Sequence, residues 1–344
     1  MEQTPNEKEV AVEFPYSRLY TDGSIDRFDG DPTVPPSPDS EDGVRSKDIV
    51  ISPESGLSAR IFLPRISDPT RKLPLLVYYH GGAFCVETPF SPIFSPYVAS
   101  LAREANVVAL SVNYRRAPED HLPAAYDDAW AAIRWAAAHY GGNGPEEWIN
   151  EHADLERVFV GGDSAGGTLS HSVVLRAGVD GLGLSGSRIA GLVLFHPYFN
   201  GDERNKLLEY IFPTHSGPRD PLVNPFHDPN LGKVGCDGVM VFVAEKDFLK
   251  ERGWAYYEAL KKSGWSGVAD IFETEGEDHD FHLFKPQSEK AHAQMKRAVS
   301  FLNRAWSRGG NSCCRVIFVS CRGIYLTSNY QTQTRHVYYS CHDL

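Results

Sequence analysis

The sequence predicts an α/β fold in which helices cover both faces of a mostly parallel, eight-stranded sheet. Short runs rich in Val, Ile, Leu and Phe alternate with longer stretches of helical period, as strands and crossover helices do in a parallel sheet. Some of these runs, such as residues 192–195 (Leu-Val-Leu-Phe), are apolar at every position. A strand needs that composition when helices bury both faces of its sheet.

The individual elements follow from these runs. The predicted strands cover residues 48–51, 59–63, 75–80, 107–112, 157–161, 191–195, 239–244 and 269–273. A turn from Ser52 to Gly56 suits a hairpin between the first two strands. From the third strand on, helical stretches lie between the strands, and one follows the last. The predicted helices cover residues 92–105, 123–140, 165–177, 249–263 and 288–306.

Three segments fall outside this alternation. Residues 1–45 are rich in Pro, Asp and Ser, and the prolines at 32, 35 and 36 exclude a helix or a central strand there. Residues 200–237 carry five prolines and no clear period, which predicts a loop or lid inserted in the core domain of residues 46–306. Residues 307–344 contain four of the six cysteines and no acidic residue before Asp343, so we expect an atypical, poorly ordered tail.

Composition excludes several classes of function. The 344 residues include 34 Lys+Arg and 45 Asp+Glu, and this net charge of −11 repels phosphate backbones, so we expect no nucleic-acid partner. No apolar run approaches about 18 residues, which predicts no membrane span. The charged N-terminal residues lack a signal-peptide core, and six cysteines are too few for a disulfide scaffold. These features favour the cytoplasm and leave the oligomeric state open.

The pentapeptide 162–166 (Gly-Asp-Ser-Ala-Gly) matches G-x-S-x-G. About 0.2 such matches arise by chance in a chain of this composition, so the motif alone is weak. Its context is stronger, because a predicted strand leads into it and a predicted helix leaves it. Such a sharp turn exposes the hydroxyl at a helix N-terminus, which predicts Ser164 as a nucleophile. The alternative is a glycine-rich turn whose serine only caps the helix.

A second glycine pair follows the third predicted strand. Gly81 and Gly82 have no side chains, so their backbone N–H groups can point at one position, as an oxyanion hole requires. The N–H of Ala165 is the predicted third donor. An ordinary β-turn is the alternative interpretation of the two glycines.

A serine nucleophile needs a base, and the base needs an orienting carboxylate. Asp247 follows a predicted strand and His279 follows the last one, so the order Ser164, Asp247, His279 is that of α/β-hydrolases. Glu245 is the rival acid and His282 the rival base. The two histidines could imitate a metal pair, but the sequence shows no third ligand, so we expect neither metal nor cofactor.

Together these segments resemble plant carboxylesterases of the hormone-sensitive-lipase-like branch of α/β-hydrolases. The resemblance runs from about Val12 to Trp306. It rests on residues 46–51 (SKDIVI), 80–84 (HGGAF), 114–119 (YRRAPE), 162–167 (GDSAGG), 244–247 (AEKD) and 277–279 (EDH). It implies an α/β-hydrolase fold, a serine esterase acting on small-molecule esters through Ser164, Asp247 and His279, and a cap built partly from residues 1–45. Residues 114–119 are expected to form a structural loop held by an Arg–Glu pair.

The same branch includes proteins that are not simple esterases, and these remain as alternatives. Gibberellin receptors resemble it but lack the histidine of the triad, so His279 argues against a receptor. Some 2-hydroxyisoflavanone dehydratases have threonine as nucleophile, so Ser164 favours ester hydrolysis over dehydration. The sequence departs from the family at Thr168, where asparagine is frequent, in the shorter stretch after residues 196–199, and in residues 307–344.

Overall fold

The computed structural model describes residues 8–14, 17–28, 30–39, 43–183 and 186–306, and the backbone of two short strands beyond them. The chain divides into two compact units, Met1–Trp306 and Ser307–Leu344. None of the helices in the described part of the chain combines the length and the apolar composition that crossing a bilayer requires.

A small antiparallel sheet opens the first unit. Its strands are β1 (Val10–Phe14), β2 (Ser17–Tyr20) and β3 (Ile25–Arg27), with β2 in the centre. The segment expected to be irregular therefore contains three strands. They bury little apolar surface, and Leu19 is their one member of the hydrophobic core among the described residues, so the sequence shows no strand pattern here.

The main sheet has eight strands. They are β4 (Val44–Ser52), β5 (Leu57–Pro64), β6 (Leu73–Tyr79), β7 (Val108–Asn113), β8 (Ala153–Asp163), β9 (Ile189–Phe195), β10 (Gly238–Ala244) and β11 (Val268–Thr274). Their order across the sheet is β11-β10-β9-β8-β6-β7-β5-β4. Neighbours are parallel except that β5 is antiparallel to both β4 and β7. All eight predicted strands are confirmed.

Helices connect these strands. They are α1 (Phe94–Ala105), α2 (Ala124–Ala137), α3 (Glu147–His152), α4 (Ser164–Asp180), α5 (Lys206–Ile211), α6 (Lys250–Lys262), α7 (Phe281–Phe284) and α8 (Glu289–Leu302). The five predicted helices correspond to α1, α2, α4, α6 and α8. The other three have six residues or fewer, so they repeat no helical period that a sequence could show.

Alternate strand residues enter two separate cores, one on each face of the sheet. On β6, the side chains of Val77 and Tyr79 pack with α2, α4 and α6, whereas those of Leu76 and Tyr78 pack with α1 and α8. Each of these four residues is at most 2 % exposed. The two faces are therefore filled by helices, and the carboxyl edge of the parallel strands is where loops can form a site.

Residues 200–237 connect β9 to β10 and contain α5 and two 3-10 turns, Pro225–His227 and Leu231–Lys233. This segment contacts both the N-terminal sheet and the start of α2. The Tyr210 hydroxyl donates to the Tyr20 carbonyl oxygen, and the Tyr126 hydroxyl donates to the Leu222 carbonyl oxygen at 2.8 Å. That residues 1–45 and 200–237 form a cap stays a prediction.

The second unit contains two strands, β12 (Phe318–Ser320) and β13 (Gly323–Tyr325), which pair antiparallel. The prediction that residues 307–344 form a poorly ordered tail falls mainly on residues outside the described ones.

Candidate active site

Ser164 stands at the turn from β8 into α4. Its φ is +47°, in the left-handed region that a non-glycine residue seldom adopts. A Cβ atom at Gly162 or Gly166 would overlap the carbonyl oxygen of Tyr79 on the neighbouring strand β6. Glycine is therefore required on both sides of Ser164, because the turn passes directly against that strand.

The structure brings Ser164, His279 and Asp247 into one hydrogen-bonded chain. His279 Nε2 lies 3.0 Å from Ser164 Oγ, and His279 Nδ1 lies 2.9 Å from Asp247 Oδ2. An ionised carboxylate can only accept, so Nδ1 carries a proton toward Asp247, and Nε2 faces the serine hydroxyl. This is the arrangement that can take a proton from a serine hydroxyl.

Asp247 is held from several sides. The backbone N–H of Leu249 donates to its Oδ1 at 2.8 Å, and Nδ1 of His196 lies 3.2 Å from its Oδ2. Burial by itself would raise the pKa of Asp247, but hydrogen bonds from His196 and His279 outweigh burial and hold that pKa below its usual value. The carboxylate therefore stays ionised while it orients the histidine.

His196 is a functional candidate that the sequence reasoning did not identify. It follows β9 directly, is 1 % exposed, and has a φ of +46° that turns it toward Asp247. Its position at the carboxyl end of a parallel strand was the available signal, since functional side chains collect there.

The two rival residues make no hydrogen bond to Ser164, His279 or Asp247 in the described part of the chain. His282 is buried beside the Tyr97 ring at 4.8 Å between centroids, and burial lowers its pKa to about 3, so it stays neutral. Within the described residues its ring nitrogens have no hydrogen-bond partner. Glu245 is exposed, and its Oε2 accepts from the backbone N–H of Gly276 at 2.6 Å. In this structure His279 and Asp247 are the residues that form the chain to Ser164.

The predicted oxyanion donors lie in two turns. Gly82 has a φ of +100°, and its carbonyl oxygen accepts from the N–H groups of Cys85 and Val86, both at 2.9 Å. In the described part of the chain, the backbone N–H groups of Gly81 and Gly82 donate no hydrogen bond. Ala165 is the second residue of α4, where an N–H has no partner within the helix. All three donors are therefore available to a ligand.

Buried aromatic contacts fix the glycine loop. The His80 ring stacks on Tyr114 with 4.4 Å between ring centroids, and the Tyr114 hydroxyl donates to the His80 carbonyl oxygen at 2.7 Å. Burial lowers the pKa of His80 to about 3, so the ring is neutral. A Cβ atom at Gly81 would overlap Oδ2 of Asp163, which explains the glycine at that position.

Two arginine–carboxylate ion pairs join the N-terminal segment to residues 114–119. Arg27 pairs with Glu119 at 2.9 Å and donates to the Cys85 carbonyl oxygen at 2.8 Å. Arg116 pairs with Asp31 at 2.7 Å. The Arg–Glu pair expected within residues 114–119 is corrected accordingly: Glu119 pairs with an arginine of β3, which the sequence could not reveal because 92 positions separate them.

Phe248 adds apolar surface beside His279. Its side chain follows Asp247 in the chain, is 73 % exposed, and lies 5.3 Å from the His279 ring between centroids. An exposed aromatic ring in this position offers contact area to the apolar part of a bound molecule.

Imidazole and carboxylate groups also gather closely enough to raise the question of a metal. Among the described residues, two trios place their potential ligand atoms within 4.8 Å of one another: His196, Asp247 and His279, and His196, Asp280 and His282. Both trios contain side chains that already hydrogen-bond within the serine site. We therefore keep the prediction that the site uses neither metal nor cofactor.

The chain is similar to known hydrolases over most of its length. The family described as alpha/beta hydrolase fold matches residues 76–283. "Probable carboxylesterase 5" of Arabidopsis thaliana is 44% identical over 86% of this chain and 99% of its own length. "2-hydroxyisoflavanone dehydratase" of Glycyrrhiza echinata is 42% identical over 87% of this chain and 98% of its own length. A solved esterase of Pyrobaculum calidifontis is 28% identical, with a TM-score of 0.63 over 76% of this chain and 86% of that chain.

Proposed function

The chain belongs to the α/β-hydrolase family and is a carboxylic-ester hydrolase, and from this premise we propose that Ser164, His279 and Asp247 are its catalytic triad. The observation that carries the proposal is the hydrogen-bonded chain from Ser164 Oγ through both ring nitrogens of His279 to Asp247 Oδ2. The substrate is a small-molecule ester.

The proposed reaction has two halves. Ser164 Oγ attacks the ester carbonyl carbon while His279 Nε2 takes the hydroxyl proton, and the same proton then passes to the leaving alcohol as the C–O bond breaks. Water next attacks the acyl-serine, gives one proton to His279, and releases the acid as the proton returns to Ser164. Asp247 keeps the imidazole oriented and stabilises its charged form throughout.

The negative charge on the carbonyl oxygen requires donors that are already in place. We assign this role to the N–H groups of Gly81, Gly82 and Ala165, which donate to no other group in the described residues. Removing one such donor costs roughly 10²–10³-fold in turnover in serine hydrolases. The neutral, buried His80 supports the role because it fixes the loop without bringing a competing charge.

Dehydration is the second candidate, because a close relative carries the name of a dehydratase. Hydrolysis is favoured by the serine hydroxyl at the nucleophile position and by its hydrogen bond to His279. Ester hydrolysis passes through an acyl-serine, whereas loss of water from a hydroxylated substrate requires only a base, so trapping the acyl-serine formed from an ester separates the two reactions.

We also propose that residues 1–45 and 200–237 cover the site as a cap and that the enzyme works in the cytoplasm. The cap proposal is supported by the ion pairs that tie Arg27 and Arg116 to the carboxylates opposite them, and by the Tyr210–Tyr20 hydrogen bond. The location is supported by Cys85 and Cys236, two buried free thiols, as expected in a reducing compartment.

The decisive experiment is burst kinetics with a short-chain nitrophenyl ester. The wild type should release a burst of one mole of nitrophenol per mole of enzyme. Ser164→Ala and His279→Ala should each lower kcat by roughly 10³-fold or more. Their double variant should lose little beyond either one, because the residues act as a unit. Asp247→Asn should be impaired less completely, while Glu245→Gln, the matched control, stays within a few fold of the wild type. An inert wild type, or undiminished turnover by Ser164→Ala, contradicts the triad.

A further inference from the structure

We propose that Asp280 is a positioning residue that competes with Ser164 for Nε2 of His279 and thereby sets the pH below which the base is blocked. Oδ2 of Asp280 lies 3.1 Å from His279 Nε2, while Ser164 Oγ lies 3.0 Å from the same nitrogen. The inference rests on the proposed role of His279 as the base. It concerns a side chain that the triad itself does not need.

The distance from Asp280 to His279 requires a proton. A neutral imidazole that donates from Nδ1 to Asp247 presents only a lone pair at Nε2, and a carboxylate oxygen also only accepts. Two such acceptors repel at 3.1 Å unless a proton lies between them. Burial by itself would raise the pKa of Asp280, but the charge and hydrogen bond of His279 outweigh burial and lower that pKa, so this proton belongs to the ring. Below the pKa of His279, the ring is therefore an imidazolium that donates from Nδ1 to Asp247 and from Nε2 to Asp280. In that state Nε2 cannot take the proton of Ser164.

The fold leaves Asp280 little freedom to turn away. It is 5 % exposed and has a φ of +47° at the beginning of α7, and its other oxygen has no hydrogen-bond partner among the described residues. The titratable groups that face it and His279 come from six places in the fold. They are Asp163 at the end of β8, His196 after β9, Asp247 after β10, His282 on α7, and Tyr78 and Tyr97 on β6 and α1.

Of the groups around His279, two carboxylates carry the charge that affects the pKa of its ring. Burial and the neighbouring charge of Asp280 raise the pKa of Asp163 well above its usual value, which favours the neutral form of this carboxyl group. Burial lowers the pKa of His282 to about 3, so that ring is neutral as well. Asp280 and Asp247 are the charged groups in direct contact with His279.

The direction of the pH effect follows from these charges. Burial by itself lowers the pKa of His279, but the charge of Asp280, together with the hydrogen bonds to Asp247 and Asp280, outweighs burial and raises that pKa well above 6.5. The base must be neutral to act, so kcat/KM falls as the pH drops through this raised pKa. Removing the charge of Asp280 lowers the pKa, which moves the acidic limb of the profile to lower pH.

The test compares pH profiles of kcat/KM for a short-chain nitrophenyl ester. In Asp280→Asn the acidic limb of the kcat/KM profile should shift to lower pH by about one pH unit or more, as expected when an adjacent opposite charge is removed. Below the wild-type limb the variant should then be faster than the wild type, which a purely structural loss cannot produce. The matched control is Asp278→Asn, an exposed carboxylate whose Oδ1 accepts the His279 backbone N–H, a bond that asparagine keeps. Its limb should coincide with that of the wild type.

An unchanged limb in a folded Asp280→Asn variant overturns the inference. If that variant does not fold, the wild-type profile decides instead, because an acidic limb at or below the ordinary histidine range also overturns it. The rate of fluorophosphonate labelling of Ser164 against pH reads the same base independently. Absence of any labelling refutes the proposed function, whereas labelling with an unshifted limb refutes only the role of Asp280.

Discussion

At the scale of single residues, Gly81 shows how closely the site is packed. A Cβ atom there would overlap the carboxyl group of Asp163, which is fully buried and accepts from the Tyr78 hydroxyl at 2.7 Å. The carboxyl group has no room to retreat, so a methyl group at position 81 must displace the glycine backbone.

We expect Gly81→Ala to lower kcat by about a hundredfold with a smaller change in KM, since it misplaces an N–H that we propose as a donor to the oxyanion of the transition state. Steady-state kinetics on a short-chain nitrophenyl ester measure this. Gly201→Ala is the control, because its Cβ would lie at an ordinary 3.5 Å from the Arg252 guanidinium. Equal kcat values in Gly81→Ala and the wild type would show that Gly81 donates no hydrogen bond to the reacting oxygen.

The sequence predicts single residues only as far as motif and position allow. Ser164, Asp247 and His279 could be chosen because each follows a predicted strand, and the structure brings them together. His196 could have been chosen for its position directly after β9, but its contact with Asp247 and the contact of Asp280 with His279 depend on left-handed turns, with φ values of +46° and +47°, that the sequence does not show. The residue type, histidine or aspartate, does not by itself indicate a left-handed backbone conformation that turns the side chain toward the site.

At the scale of elements, prediction follows the number of repeats. Several strands of the main sheet, such as β9 and β10, are continuous apolar runs, and the long helices repeat their period several times, so both were predictable. The strands β1 to β3 and the helices α3, α5 and α7 are too short to show a period, and they are stabilised by contacts with distant residues. Tyr210 on α5, for example, bonds to Tyr20 on β2, 190 positions away.

The attachment of the N-terminal segment should weaken in acid. A hydrogen bond from Arg116 lowers the pKa of Asp31, and one from Arg27 lowers the pKa of Glu119. A carboxylate with a lowered pKa contributes stability that is present above its unfolded pKa and lost as the pH falls through its folded pKa. Both side chains are more than one-third exposed, so solvent screening limits the two pairs to about 1 kcal/mol in total.

Asp31→Asn/Glu119→Gln should therefore be slightly less stable than the wild type at pH 6, and this difference should narrow as the pH falls toward 3. Thermal unfolding across this range gives the comparison. Asp26→Asn/Glu54→Gln removes two exposed carboxylates that form no ion pair among the described residues, and it serves as the matched control. A constant difference between variant and wild type at every pH would contradict the ion-pair account.

At the scale of the whole molecule, the described core and site belong to the first unit. Among the described residues, the larger hydrophobic cluster extends no further along the chain than Ile271, and the second ends at Trp306, whose ring packs against Phe301 with 5.1 Å between centroids. Deleting residues 309–344 should therefore leave ester turnover within a few fold of the full chain. A deletion that begins at residue 301 is the control, because it removes buried core residues and should lower the thermal midpoint. A hundredfold loss in the shorter deletion, with an unchanged circular dichroism spectrum, would place the tail in the active site.

The separation of 115 positions between Ser164 and His279 has a consequence for synthesis on the ribosome. When Ser164 has just been added to the nascent chain, strands β9, β10 and β11 and the loop that carries His279 have still to be made. At about 5–20 residues per second, that interval lasts on the order of ten seconds. Throughout it the serine hydroxyl is an ordinary alcohol that neither hydrolyses cellular esters nor reacts with fluorophosphonates. The time at which such a probe, added as a pulse during translation, first labels the nascent chain therefore reports when the main sheet is complete.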